Sequence, residues 1–169
     1  MAGRQDFRSE GGLYQRLRGE NRSIVAKGQD VFSARALKVA DERSVLLRTV
    51  AELKEQADAA EPSPTHKFLK RLDEEKRLLR VYTQNVDDLE RKAGLSSSTS
   101  ASKYDWDPQK TRVIAYHGTV HKVRCEWCSA QYDLSPEFLG AFRKGEQPTC
   151  VECADAGECE ERGQEENQG

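Results

Sequence analysis

Residues 80–95 read RVYTQNVDDLERKAGL. The run LLRVYT at 78–83 is apolar and β-branched, the composition of a short buried strand. It stops at Gln84-Asn85, and VDDLERKA at 86–93 follows as a helical pattern with Gly94 as its stop. A strand that feeds directly into a helix is the unit of a parallel α/β sheet, and the tip of that strand is where such folds hold ligands. Gln84, Asn85 and Asp87 are therefore candidate binding residues, since neighbouring amide and carboxylate side chains offer both donors and acceptors. Taken alone, the stretch favours a plainer role, with Asn85 or Asp87 capping the first free N–H groups of the helix.

Upstream, THKFLKRLDEEK predicts a helix capped by Thr65, with Phe68, Leu69 and Leu72 on its apolar face. His66 on that helix is expected to be a packed or surface residue. Leu37, Leu46, Leu47, Val50, Leu53 and Ala57 recur mostly at helical spacing over 34–60, ended by Pro62 and Pro64. Residues 1–20 are polar and rich in Gly and Arg, which suggests a loop leading into a short helix. Downstream, SSSTSASKYDWDPQ from Ser96 has linker composition, and VIAYHG and VHKVRC read as two short strands separated by Gly118-Thr119. SPEFLGAFRKG carries a full set of helix signals: Ser135 as N-cap, Pro136 at the first position and Gly145 as the stop. The expected fold class is α/β.

The strongest local signal is CEWC, Cys125 and Cys128, followed by CVEC, Cys150 and Cys153, with 21 residues between the pairs. Two residues between cysteines let both thiolates of a knuckle reach one ion, and two knuckles complete a tetrahedral four-sulfur shell for Zn. Such a shell leaves no open position for substrate, so the metal would be structural. His121 beside the first knuckle is then a surface strand histidine, and Cys159 a spare exposed thiol.

Of the 169 residues, 36% are hydrophobic and 33% charged, which limits the core. The net charge of −2 argues against a nucleic-acid or membrane surface. It hides an asymmetry: residues 154–169 hold six acids against Arg162, leaving 26 basic and 23 acidic residues, +3, over 1–153. The tail is expected not to fold. No run approaches the roughly 18 apolar residues of a membrane span, and the N-terminus lacks the apolar centre of a signal peptide. An intracellular, reducing setting follows, in which paired cysteines favour metal.

Three stretches, DFRSEGGLY at 6–14, YTQNVDDLERKAGL at 82–95 and YHGTVHKVRCEWC at 116–128, occur in the order found in sirtuins. With the two knuckles behind them, the chain resembles a sirtuin, an NAD-dependent protein-lysine deacylase, over roughly residues 2–153. The long insert at 18–56 and the Ser-rich linker look most like the fungal nuclear branch that acts on histones.

The resemblance implies a partial Rossmann-like region at 1–124 with a helical insert, a zinc-binding module at 125–153 and an acidic tail at 154–169. It implies that Gln84 and Asn85 bond the nicotinamide-ribose region of NAD and that Asp87 accepts from the nicotinamide carboxamide. Asp6 and Arg8 would fix the cofactor-binding loop, and Phe7 would screen the reacting ribose carbon from water. His117 matches the catalytic histidine, a general base for a ribose hydroxyl.

The implied reaction moves the acetyl group of acetyl-lysine to ADP-ribose with release of nicotinamide. The implied partner is an acetylated protein lysine, of a histone, in the nucleus. Two departures stand out. The family's Gly-rich phosphate stretch is represented at most by Ala2-Gly3, and Arg4-Gln5 replace its Ile-Pro. The chain also stops soon after the second knuckle, so a fragment of the family domain is expected. The rival readings are a non-catalytic zinc-binding scaffold and a mono-ADP-ribosyl transferase.

Overall fold

The computed structural model describes residues 7, 10–20, 27–98, 107 and 110–155. Asp6, Arg8, most of the Ser-rich linker, Cys159 and the acidic tail from residue 156 lie outside the described residues. In chain order the elements are α1 Leu13–Glu20, the 3-10 turns Gly28–Phe32 and Ala34–Leu37, α2 Ala40–Ala59, α3 Pro64–Glu74, β1 Val81–Thr83, α4 Leu89–Lys92, β2 Ser97–Ser98, β3 Val113–Ala115, β4 Lys122–Arg124, β5 Gln131–Asp133, α5 Pro136–Lys144 and α6 Val151–Asp155. The fold is α/β, a partial Rossmann-like sheet with a small four-cysteine module, as expected. None of the described helices is long and apolar enough to cross a membrane. Glu52–His121 forms one compact unit with Phe7 and residues 10–13; Tyr14–Ala51 forms a second with the described residues from Lys122 on.

In the first unit, β1, β3 and β2 form a parallel sheet with β3 in the middle. Val81, Tyr82 and Thr83 stand opposite Val113, Ile114 and Ala115, and Ser97 and Ser98 pair with Val113 and Ile114. Val113 at the centre is 1% exposed, and Leu89, Leu95 and Val120 are buried in the same unit. Fully burying side chains of this size contributes about 1.5–3 kcal/mol each.

Three expectations change here. The strand starts at Val81 rather than Leu78, because residues 75–78 close α3: Arg77 and Leu78 both donate to Leu72 O, and Lys76 takes a left-handed φ of 56°. Helix α3 is capped by Ser63 with Pro64 at its first position, not by Thr65; the Ser63 N–H donates to His66 Nδ1 at 3.1 Å. Ser97 and Ser98, expected in the linker, form an edge strand on β3.

In the second unit, β4 and β5 make an antiparallel hairpin with Val123 opposite Tyr132. VIA and KVR are thus both strands, as read, but they belong to different sheets. Leu47, Ala51, Leu134 and Phe142 form a buried cluster, with Val50, Val123, Phe138 and Leu139 packed against it. Helix α5 follows its sequence signals closely: Ser135 Oγ accepts from the Phe138 N–H at 3.4 Å, Pro136 opens the helix, and Gly145 closes it at φ 78°. Gly145 is required twice over, since a Cβ there would also meet Ser44 Oγ at 2.1 Å.

Candidate functional site

Two candidate centres are present, one in each unit. The first is built by the ends of β1 and β3. Both strands run in the same direction, so both loops leave the sheet at its C-terminal edge, where open α/β sheets bind ligands. Beyond the last strand pair, Thr83 and Ala115, come Gln84 and Tyr116, then Asn85 and His117. Backbone bonds stitch the loops together: Tyr116 N–H donates to Thr83 O at 2.9 Å and Val120 N–H to Val86 O at 2.9 Å.

Side chains complete the scaffold. The buried Thr83 turns its Oγ1 to the Asn85 N–H at 3.1 Å, and His121 Nε2 lies 3.3 Å from Asp87 O. The Leu89 N–H donates to Asp87 Oδ1 at 3.2 Å. Asp88 then takes a left-handed φ of 58° as N-cap, which delays α4 to Leu89 and shortens the expected helix. Asp87 thus does perform the capping role, while its second carboxylate oxygen stays available as an acceptor.

Gln84, Asn85 and His117 are exposed at this edge, so the structure brings the amide, carboxylate and imidazole groups to one rim. Phe7 is half-buried in the same unit. Donors and acceptors of this kind suit a polar ligand that carries amide or hydroxyl groups. His66 is buried, with Nε2 4.0 Å from the equally buried Glu90. His121, expected on a strand surface, is half-buried just ahead of β4 with Asp58 3.7 Å from its Nδ1.

The second centre is the cysteine cluster. Cys125 follows β4 directly, Cys128 lies in the hairpin turn, Cys150 precedes α6 and Cys153 is buried within it. All four sulfurs lie within 4.8 Å of one another, with Cys125–Cys153 at 3.7 Å and Cys128–Cys150 at 3.6 Å. A sulfur tetrahedron around zinc, with bonds near 2.3 Å, has edges of about 3.8 Å, so the donor set and its spacing fit that ion. Cys128 also accepts from the Ala130 N–H at 3.5 Å.

Tyr132 extends this cluster. Its hydroxyl lies 3.2 Å from Cys150 Sγ and accepts from the Glu152 N–H at 3.4 Å. The hydroxyl's hydrogen bond is the main reason that Cys150 is pulled well below an ordinary thiol, to about 6. The same contact pushes the Tyr132 phenol up to about 12, so the tyrosine keeps its proton and the cysteine gives up its own. Thr83 and Tyr132 both escape a reading of the sequence. Each looks like an ordinary strand residue, and in Tyr132 the relevant contact is 18 residues away.

With the geometry in place, comparison with known proteins is decisive. The sequence model of the Sir2 family matches residues 1–158. The chain belongs to the Sir2 family. A Candida albicans protein named NAD-dependent histone deacetylase HST3 is 33% identical over 159 residues, covering 91% of this chain and 33% of that protein. Its Saccharomyces cerevisiae namesake is 31% identical over 160 residues, covering 90% of this chain and 35% of its own length. A sirtuin structure solved to explain substrate affinity superposes with a TM-score of 0.62 at 24% identity, over 90% of this chain and 51% of that one, and so shares the fold. This sirtuin chain spans about a third of the length of the curated relatives it matches.

Proposed function

We propose that the protein is an NAD-dependent protein-lysine deacetylase, which transfers the acetyl group of an acetylated lysine to the ADP-ribose part of NAD and releases nicotinamide. The observation that carries this reading is the shared rim. Gln84, Asn85 and Asp87 leave β1, and His117 leaves β3, at the same end of adjacent parallel strands. Membership of the Sir2 family and the names of its fungal relatives supply the reaction class. Those names also support a histone as the acetylated substrate and the nucleus as the place of work.

Each residue then has a role. Asp87 accepts from the carboxamide N–H of nicotinamide through the carboxylate oxygen not engaged by Leu89. Gln84 and Asn85 bond the adjoining ribose. Bound NAD supplies an activated ribose carbon with nicotinamide as its leaving group. His117 takes the proton from a ribose hydroxyl, which frees that oxygen to receive the acetyl group. Asp6, Phe7 and Arg8 close the cofactor loop, with the Phe7 ring excluding water that would divert the ribosyl centre. Cys125, Cys128, Cys150 and Cys153 hold zinc as a structural ion, with all four positions filled by protein.

The test is titration calorimetry of the zinc-loaded chain with NAD, followed by nicotinamide release from an acetylated histone peptide. The expected result is NAD binding by both the unaltered chain and His117→Ala, with release slowed about 10²- to 10⁴-fold in the variant, the usual contribution of a general base. Absence of NAD binding would overturn the reading for this chain.

A further inference from the structure

We propose that Tyr132 is a positioning residue of the metal centre, its hydroxyl donating to the Cys150 thiolate so that the two cysteine pairs are bridged by protein as well as by the ion. The inference rests on reading the four cysteines as zinc ligands.

The geometry is specific. Tyr132 sits in β5, on the hairpin that carries Cys125 and Cys128, yet its oxygen reaches Cys150, 3.2 Å away in the other pair. The Glu152 N–H points at the same oxygen from 3.4 Å. That N–H fills an acceptor position on the hydroxyl and leaves its single proton directed at the sulfur. The ring itself is held: it meets Phe138 edge-on, centroids 5.8 Å apart at 64°, and Phe138 packs on the buried cluster around Phe142.

A donor fixed in this way does two things for a ligating thiolate. It holds the sulfur in place before the ion arrives, and it draws charge from a sulfur that would otherwise be the most available to an electrophile or a chelator. Hydrogen-bonding partners behind metal ligands commonly act in this manner. Of the pair Cys128 and Cys150, the sulfur backed by the tyrosine is therefore the slower to leave, while Cys128 is exposed and accepts only weakly from the Ala130 N–H at 3.5 Å.

Tyr132→Phe removes the hydroxyl and keeps the ring against Phe138. In the full zinc-loaded chain, the rate of zinc transfer to a colorimetric chelator is expected to rise about 10- to 100-fold, the range typical for loss of such a partner. In the cobalt-substituted chain, the sulfur-to-cobalt charge-transfer band is expected to move to longer wavelength, because a thiolate without its hydrogen bond is easier to oxidise. A purely structural role for the ring would move neither.

Should Tyr132→Phe fail to fold, 3-fluorotyrosine at position 132 gives the opposite test. The more acidic phenol donates more strongly, so zinc release should slow and the cobalt band should move to shorter wavelength. Release at the unaltered rate with an unmoved band, in whichever variant folds, overturns the proposal. If the unaltered chain takes up neither zinc nor cobalt, the ligand reading itself falls, and the Tyr132 proposal with it.

Discussion

The two centres are held by opposite means. At the rim of the parallel sheet, backbone bonds set the positions: the ladder continues past β1 through Tyr116 to Thr83 and closes again through Val120 to Val86. The candidate side chains Gln84, Asn85 and His117 are exposed there, and half-buried Asp87 is held by the Leu89 N–H. In the cysteine cluster the side chains set the positions, and four sulfurs lie within 4.8 Å of one another. Thiolates so close repel until a cation joins them. The rim is thus organised ahead of its ligand, whereas the cluster and its ion organise each other.

The sharpest way to break this contrast is to remove a metal ligand. Cys153→Ser should reduce bound zinc from one per chain to almost none and forfeit on the order of 10 kcal/mol of metal-linked folding free energy. Amide exchange should accelerate through β4, β5 and α6 while the amides of Tyr116 and Val120 stay protected. Equal loss of protection at both places would mean that the rim, too, depends on the ion.

Acidification is a milder form of the same experiment. The Cys150 thiol is held at about 6 in the folded chain, first by the Tyr132 hydroxyl. A group with a depressed value stabilises the fold fully above its ordinary range and loses that contribution as pH falls through the folded value. In the metal-free chain the Cys150 thiolate should therefore persist at neutral pH and take up its proton on passing below about pH 6, as followed by thiolate ultraviolet absorbance. An unshifted, ordinary thiol titration would show that the Tyr132 hydroxyl does not hold the thiolate.

On the rim, Thr83→Val keeps shape but deletes the oxygen that receives the Asn85 N–H. Losing a part-buried hydrogen bond of this kind costs about 0.5–1.5 kcal/mol. NAD affinity should fall with zinc content unchanged, which calorimetry and a zinc assay on the same sample would separate. Ser135→Ala should have the smallest effect, about 1 kcal/mol from the lost cap of α5. It should lower the melting temperature by a few degrees and leave both centres working.

What the sequence disclosed follows the range of the interactions involved. Helix α5 could be read to the residue, because Ser135, Pro136 and Gly145 act within a single helix. The cysteine cluster was equally legible, since a metal shell imposes its own spacing. The sheet was less so. Ser97-Ser98 has linker composition and becomes a strand only because β3, whose residues pair with it from sixteen positions away, offers it an open edge. Gly118-Thr119 looks like a hairpin turn, but β3 pairs with β1 and β4 with β5, so the two flanking strands part. Leu78 and Leu79 have strand composition, yet the N–H of Leu78 is taken by the end of α3 and Leu79 is 83% exposed. At the candidate site the sequence named Gln84, Asn85, Asp87 and His117, but it could not name Thr83 or Tyr132, whose parts depend on what lies opposite.

The stitched rim also bears on how the chain can change in length. Between Thr83 and Val86 there is room for two residues, and between Tyr116 and Val120 for three, because each segment is tied at both ends to the other. One residue inserted in either would break a tie and turn the side chains beyond it to the opposite face. Insertions and deletions should accordingly be rejected at these two places, so that in any comparison of related chains the spacing from Thr83 to Asp87 and from Tyr116 to His121 serves as a ruler as informative as the residues themselves.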